Sequence, residues 1–212
     1  MRIVGGRFRG HGLAAPGAAG GGPAHLRPTP DRVREALFNL LAHGGHADPP
    51  VPEGMRVLDL FAGTGAMGLE ALSRGARSVL FIDDHGPSRA LIRRNVEALN
   101  VIGQCRIWRR DATRLGPCRG EPFDLALLDP PYRSGLGVAA LASALAGGWL
   151  AAGAIVVLET AGDETVAWPE GLMPIDMRKY GDTGLWLARA PDDGGGNIAS
   201  NNGSQLAAPS SE

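Results

Sequence analysis

The sequence predicts an α/β fold with a mostly parallel sheet, because strand-like and helix-like segments alternate from residue 55 onward. The segment 123–128 is a continuous apolar run, which is typical of a parallel strand buried on both faces. A glycine-rich turn follows the first strand-like segment and opens a helical pattern, as at the ligand-binding edge of such sheets. A chain of 212 residues with 44% hydrophobic content is long enough for one such domain and an appendage.

The predicted strands occupy residues 56–61, 78–82, 105–109, 123–128 and 154–159, and the helices between them occupy 66–74, 87–99 and 138–146. Two further segments, 176–180 and 185–189, flank the turn Gly181-Asp182-Thr183-Gly184. A short turn between two such segments predicts an antiparallel hairpin at the C-terminal end of the domain.

The N-terminal region has a different pattern. Residues 1–13 form short alternating runs broken at Gly5-Gly6, which predict a small hairpin or extended arm. Thr29 and Pro30 are suited to the N-cap and the first position of a following helix. The predicted organisation is a basic arm, hairpin and helix at 1–50, a main domain at 51–190 and a disordered tail at 191–212, which has almost no apolar pattern.

Basic residues are concentrated in two places, although the net charge of the whole chain is only −1. Residues 1–34 contain six Arg against one Asp, and residues 89–110 contain six Arg against one Glu. Clustered arginines are the expected footprint of phosphate binding. The candidate RNA-binding residues are Arg7, Arg9, Arg27, Arg32 and Arg34.

Several classes of protein are disfavoured by the composition. The two cysteines and five histidines follow no metal-ligand spacing, so no metal is expected. No apolar run is long enough to span a membrane, and the N-terminus has no signal-peptide pattern. We therefore expect a cytoplasmic protein, without a membrane partner and monomeric.

The glycine-rich turn has the spacing of a dinucleotide-binding loop. Gly63, Gly65 and Gly68 match G-x-G-x-x-G, and Asp83 follows 20 positions after Gly63 at the end of the second strand. Asp83, rather than its neighbour Asp84, is placed to hold a ribose diol because it comes first after the apolar run. This pattern alone is compatible with NAD or with another adenosine-containing ligand.

Three features favour S-adenosylmethionine over NAD. Asp59 lies four residues before Gly63, where a carboxylate can reach a cationic amino group. Asp111 and Ala112 follow the third strand, where a side-chain acceptor and a backbone N–H can read an adenine edge. The third feature is an acceptor site for the methyl group, described next. The candidate donor-binding residues are Asp59, Phe61, Gly63, Gly65, Asp83, Asp111 and Ala112.

The tetrapeptide Asp129-Pro130-Pro131-Tyr132 follows the fourth apolar run. It places a carboxylate, two residues without N–H donors and an aromatic ring at the end of a strand, where ligands bind in open α/β sheets. Asp129 and the carbonyl of Pro130 can accept hydrogen bonds from an exocyclic amine, and Tyr132 can stack on the base. Two acceptors in tetrahedral directions leave the nitrogen lone pair free to attack a methyl group.

The chain resembles the RsmD family of bacterial 16S rRNA guanine-N2 methyltransferases over roughly residues 1–190. The matching segments are RIVGGRFRG at 2–10, LRPTPDRVREALFN at 26–39, LDLFAGTG at 58–65, GLEALSRGA at 68–76 and the tetrapeptide at 129–132. The resemblance implies a seven-stranded class I methyltransferase sheet, S-adenosylmethionine as donor and S-adenosylhomocysteine as product. It also implies 16S rRNA in the small ribosomal subunit, or in its assembly intermediate, as the partner.

Other functions remain as alternatives. A DNA methyltransferase acting on adenine N6 or cytosine N4 would carry a similar tetrapeptide, but such enzymes usually have a sizeable target-recognition region, for which this chain has no room. A protein glutamine methyltransferase would normally have Asn at position 129. An NAD-dependent oxidoreductase would need a hydride-transfer site, and the sequence offers no Tyr-x-x-x-Lys or suitable His. A non-catalytic RNA-binding module would have no reason to keep the whole donor site.

Overall fold

The computed structural model describes residues 1–16, 29–47 and 49–192. Within these ranges the chain forms a seven-stranded sheet with the order β3-β2-β1-β4-β5-β7-β6. The strands are β1 (Arg56–Leu60), β2 (Ser78–Ile82), β3 (Cys105–Trp108), β4 (Phe123–Leu128), β5 (Leu150–Ala161), β6 (Met173–Tyr180) and β7 (Thr183–Arg189). The first five are mutually parallel, and β7 pairs antiparallel with both β5 and β6. The predicted fold class is confirmed.

Helices cover both faces of the sheet, and strand residues alternate between the two faces. The helices are α1 (Asp31–His43), α2 (Ala66–Ser73), α3 (Gly86–Ala98) and α4 (Leu136–Ala146). Val57 on β1 belongs to the apolar cluster that includes residues of α1, α2 and α3. Its neighbour Leu58 belongs to the cluster on the other face, which includes residues of α4. The apolar runs are continuous because both faces are buried.

The strand order reverses between β1 and β4. The chain moves outward from β1 through β2 to β3, then returns to place β4 on the other side of β1. In open α/β sheets a crevice forms at such a switch point, beyond the carboxyl ends of the strands. The loops after β1 and β4 carry the glycine turn and the tetrapeptide, so the topology brings these two segments together.

Five strands differ from the sequence prediction at one end or both: β1 and β3 end one residue earlier, β5 is longer at both ends, and β6 and β7 begin earlier. Strand β1 ends at Leu60 because Phe61 has a left-handed backbone with a φ of 57°, which does not continue a strand. Strand β5 runs from Leu150 past Glu159 to Ala161, because it pairs with β7 as far as Ala161. The β7 residues that pair with the end of β5 lie about 25 residues further along the chain, so the local sequence pattern could not predict this extension of β5.

The start of α1 also differs from the prediction. Pro30 occupies the N-cap and Asp31 is the first helical residue. The Thr29 hydroxyl, predicted to cap the helix, instead contacts the carboxylates of Asp129 and Glu159. Tertiary contacts with two distant carboxylates therefore replace the local capping bond.

The N-terminal residues form the predicted hairpin, and it is packed on α2. An antiparallel bridge joins Arg2 to Gly12. The backbone N–H groups of Val4 and Gly5 each donate to a carboxylate oxygen of Glu70 at 2.8 Å. Ile3 is fully buried and belongs to the same apolar cluster as the sheet. The hairpin thus shares a core with the main domain.

Arg34 is not available to RNA, contrary to the sequence prediction. Its side chain is fully buried, with its guanidinium next to Asp31 and Glu70 and donating to the Thr29 carbonyl. The helical repeat places Arg34 beside Val33 on the inward side of α1, where the carboxylate of Glu70 needs a cationic partner. Arg7, Arg9 and Arg32 are exposed. Arg27 and residues 193–212 of the predicted tail lie outside the described residues.

Candidate active site

A cavity of about 280 Å³ opens at the carboxyl ends of β1, β2 and β4. It brings together residues that are far apart in the sequence. Six of the predicted site residues line it, namely Phe61, Asp83, Asp111, Ala112, Asp129 and Pro131. Asp84, the alternative to Asp83, also lines the cavity. Four donor-binding candidates and two acceptor candidates therefore face the same cavity.

The glycine turn holds Asp83 in place. The Gly63 N–H donates to Asp83 Oδ2 and the His85 N–H donates to Oδ1, both at 2.8 Å. Gly63 has a φ of +54°, a conformation that glycine adopts without strain. Burial raises the pKa of the Asp83 carboxyl, while the two N–H donors act in the opposite direction. Asp83 is thus an oriented hydrogen-bond acceptor on the cavity wall.

Asp59 lies behind the glycine turn and does not line the cavity. It is 2% exposed, and its Oδ2 accepts the Gly68 N–H at 2.9 Å. Burial raises the pKa of Asp59 to about 8, with a further contribution from Asp83. The Asp59 carboxyl therefore stabilises the start of α2. It can contact the amino group of a methyl donor only if the glycine turn moves and exposes it.

Gly65 also has a structural role. A Cβ at this position would lie 3.3 Å from Phe81 and Ile92, in the core, and the residue has a φ of +76°. A side chain at Gly65 would therefore be strained by the backbone and would press on the core. Gly65 is required by the backbone conformation and by packing against β2 and α3.

Asp111 and Ala112 lie at the cavity rim after β3. Asp111 Oδ1 accepts the N–H and the hydroxyl of Thr113 at 2.8 and 2.7 Å. These bonds hold the pKa of Asp111 below its ordinary value. Both bonds use Oδ1 of the exposed, ionised Asp111 carboxylate. Its other oxygen can therefore accept a hydrogen bond from a ligand, next to the buried residue Ala112.

The tetrapeptide turns sharply at the end of β4. Asp129 is half-buried and Pro130 is buried, while Pro131 and Tyr132 are exposed. The next residue, Arg133, has a left-handed φ of 56° and pairs with Asp163. The Tyr132 ring is 37% exposed and lies outside the cavity lining, so it stands at the rim rather than inside.

Glu159 is a site residue that the sequence reasoning missed. It lies near the end of β5, is 3% exposed, and accepts the Tyr132 hydroxyl at 2.8 Å. The Thr29 hydroxyl lies 2.9 Å from Glu159 Oε2 and 3.2 Å from Asp129 Oδ2. A carboxylate after an apolar strand, the same signal that identified Asp129, could have revealed it.

The two carboxyl groups influence each other. Burial raises the pKa of Asp129 well above its ordinary value, and the charge of Glu159 raises it further. Burial likewise raises the pKa of Glu159, although the hydroxyls of Tyr132 and Thr29 act against it. A positive charge in the cavity would therefore stabilise this pair in its ionised form.

Within residues 1–16, 29–47 and 49–192, no cluster of three or more His, Cys, Asp or Glu side chains is arranged to hold a metal ion. In the same ranges, each helix is too short or too polar to cross a membrane.

Comparison with known families decides the identity. The family model described as "Conserved hypothetical protein 95" matches residues 1–189. Ribosomal RNA small subunit methyltransferase D of Escherichia coli K12 is 40% identical over 161 residues, which is 76% of this chain and 74% of that protein. This chain belongs to the RsmD family. The Haemophilus influenzae protein of the same name is 32% identical over 173 residues, which is 80% of this chain and 83% of that protein.

Solved structures of RsmD-like proteins agree with this assignment. The Escherichia coli protein yhhF, described as a candidate methyltransferase, superposes with a TM-score of 0.74 at 30% identity. The superposition covers 90% of this chain and 98% of that one. The fold of this RsmD family member is thus the class I methyltransferase fold.

Proposed function

We propose that this protein transfers a methyl group from S-adenosylmethionine to the exocyclic N2 amine of a guanine in 16S rRNA. The activity as a methyltransferase follows from membership of the RsmD family. The substrate is proposed to be rRNA in the small ribosomal subunit or in its assembly intermediate, since the curated relatives are named for that subunit.

The position of Asp129 supports this proposal most directly. It lies at the carboxyl end of β4, at the switch point of the sheet, and lines the same cavity as Asp83 and Asp111. A carboxylate at this position can accept a hydrogen bond from an amine while the donor occupies the rest of the cavity. The residues therefore fit an adenosine-containing methyl donor on one side and an amine on the other.

The proposed mechanism relies on positioning. S-adenosylmethionine supplies an electrophilic sulfonium methyl group. The Asp83 carboxylate holds the ribose, and Asp111 with the Ala112 N–H holds the adenine edge. The guanine leaves its stack to enter the site, where Asp129 and the Pro130 carbonyl orient its N2 amine. Tyr132, at the rim, offers its ring face to the base, and holding both reactants in line supplies most of the rate.

RNA contact is proposed for the exposed arginines of the N-terminal region, Arg7, Arg9 and Arg32. Arg7 already lies 4.4 Å over the Phe8 ring and donates to Gln104, which holds it at the surface of the hairpin. Arginines of this kind bind phosphates and fix the orientation of the RNA without reading its sequence.

The test is a methylation assay with labelled S-adenosylmethionine. Small subunits from a strain lacking this protein are incubated with it, and their rRNA is digested to nucleosides for mass spectrometry. We expect one N2-methylguanosine per subunit. Label on adenine, on cytosine, or on added duplex DNA in preference to rRNA would contradict the proposal.

A further inference from the structure

A continuous chain of hydrogen bonds runs from the acceptor carboxylate to the C-terminal hairpin. It links Asp129 to Thr29 at 3.2 Å, Thr29 to Glu159 at 2.9 Å and Glu159 to Tyr132 at 2.8 Å. The Tyr132 hydroxyl then lies 3.3 Å from Thr183 Oγ1. Three of its members are almost fully buried, with Thr29, Glu159 and Thr183 at 6%, 3% and 7% exposure.

The central link of this chain is a single hydroxyl between two carboxyl groups. Thr29 Oγ1 has one hydrogen, so it can donate to Asp129 or to Glu159, but not to both. When one carboxyl is protonated, the hydroxyl can accept from it and donate to the other. This geometry suits a proton that passes from one carboxyl to the other through Thr29.

The change in charge during methyl transfer provides a reason for a proton to move to these carboxyl groups. Before transfer, the sulfonium cation of the donor offsets the negative charge of Asp129 and Glu159. After transfer, the donor product is a neutral thioether, and the positive charge lies on the methylated amine. Once the amine releases a proton, no cation offsets the half-buried Asp129 and the buried Glu159. The two carboxylates then repel each other, so the pair binds that proton more strongly.

We propose that Glu159 is the group within the site that takes up the proton released by methyl transfer, and that this proton reaches it from Asp129 through the Thr29 hydroxyl. This inference rests on the proposed amine methylation. Glu159 acts through other groups, so it is a positioning and proton-holding residue, while Asp129 contacts the amine.

The step balances as follows. The amine lone pair forms the N–C bond, and the electrons of the C–S bond remain on sulfur. The charged nitrogen then loses one N–H proton to Asp129. Asp129 passes a proton to Thr29 Oγ1 as the original Thr29 proton moves to Glu159 Oε2, which leaves Asp129 ionised and Glu159 neutral. Tyr132, half-exposed and bonded to Glu159, provides the route by which the proton reaches solvent.

The first experiment counts protons without catalysis. S-adenosylmethionine, without RNA, and S-adenosylhomocysteine are each titrated into the protein by calorimetry in buffers of different ionisation enthalpy. The two ligands share the same amino group, so protons taken up or released by Asp59 cancel in the comparison. We expect the S-adenosylhomocysteine complex to hold more protons, by up to one, and Glu159→Gln to remove the difference.

The second experiment measures the pH dependence of methyl transfer. Glu159, Asp59 and Tyr132 act directly on Asp129. The other charged and titratable groups that line the same cavity are Asp83, Asp84, His85, Arg110 and Asp111. Because the charge of Glu159 raises the pKa of Asp129, Glu159→Gln should move the acid limb of the rate profile to lower pH by about 1 unit. A merely structural role for Glu159 would lower the plateau and leave the limb in place.

Thr29 variants test the link itself. Thr29→Val keeps the shape but removes the hydroxyl, and we expect kcat to fall by about 10-fold or more. Thr29→Ser should restore it. Thr160→Val is the matched control, since Thr160 follows Glu159 and is buried, but its hydroxyl bonds to Ala161 and Trp186 instead.

The outcomes separate the two proposals. If the parent protein binds neither ligand, the proposed function fails. If it binds both with equal proton counts, or if folded Glu159→Gln keeps the parent acid limb, the proton transfer to Glu159 is overturned. Equal rates for Thr29→Val and Thr29→Ser would exclude Thr29 as the link.

Discussion

Arg34 and Glu70 form an ion pair in the interior of the protein, with Nε and Oε2 3.5 Å apart and both side chains at 0% exposure. Glu70 also accepts the N–H groups of Val4 and Gly5. Arg34 also donates to the backbone carbonyl of Thr29. The pair therefore joins the N-terminal hairpin, α1 and α2 to the segment whose threonine reaches the active site.

The first prediction concerns the stability contributed by this pair. Arg34→Ala should lower the free energy of unfolding by about 2–3 kcal/mol, because it removes one of the two cationic partners of the buried Glu70, which keeps Arg74. Urea unfolding followed by circular dichroism measures this. Arg32→Ala, two residues earlier and exposed, is the control and should change stability by no more than about 0.5 kcal/mol. Similar small losses in both variants would show that the pair is not a structural anchor.

The second prediction concerns Asp129. Asp129→Ala should lower methyl transfer by about 100-fold or more, because the amine loses the carboxylate that orients it. Affinity for S-adenosylhomocysteine should remain, since Asp83 and the Asp111 loop are unchanged. Asp129→Asn keeps one acceptor oxygen and should retain more activity than the alanine variant. A folded Asp129→Ala protein with parental activity would remove Asp129 from the mechanism.

The third prediction is a pH dependence of stability caused by Asp59. Its pKa is raised to about 8 in the folded protein, so the folded state holds this proton more tightly than the unfolded state. The resulting stabilisation is complete at acid pH below the ordinary aspartate value and is lost as pH rises towards 8. The loss amounts to as much as about 1.4 kcal/mol per pH unit within that window.

Asp59→Asn isolates this effect, because asparagine keeps an acceptor oxygen for the Gly68 N–H and cannot titrate. Unfolding is measured in urea at pH 5, 6, 7 and 8 without ligand. The stability of the variant relative to the parent should rise steadily with pH. A constant difference between the two proteins across this range would contradict the raised pKa.

The fourth prediction concerns the basic N-terminal surface. Replacing Arg7, Arg9 and Arg32 together by Gln should weaken binding to small subunits. Each lost phosphate contact should also reduce the slope of log K against log salt by about 0.7–0.9. Affinity for S-adenosylhomocysteine should stay at the parent value, since none of the three lines the cavity. Binding is measured by filter retention at several salt concentrations.

A matched pair on another surface tests whether this effect is local. Arg93 and Arg94 are exposed on α3 and belong to the second basic segment of the sequence. If Arg93→Gln/Arg94→Gln reduces the salt slope while the triple variant does not, the RNA contact lies on α3 rather than on the N-terminal region.

Local pattern was sufficient for the sheet and for most of the cavity. Continuous apolar runs identified β1, β2, β4 and β5, since burial on both faces leaves no alternation. The glycine turn and Asp129 were found because each follows such a run, and parallel strands deliver their carboxyl ends to one edge. Asp83, Asp111 and Ala112 were placed on the same rule, and all three line the cavity.

Tertiary structure alone decided which polar groups meet. Thr29 had the local pattern of a helix cap, yet its hydroxyl lies between Asp129 and Glu159, which are 100 and 130 residues away. Arg34 belongs to the arginine cluster that predicted RNA contact, yet its side chain is buried in an ion pair with Glu70. The reason is physical: apolar periodicity is a local property of the chain, whereas a buried polar group must find its partner wherever the fold provides one.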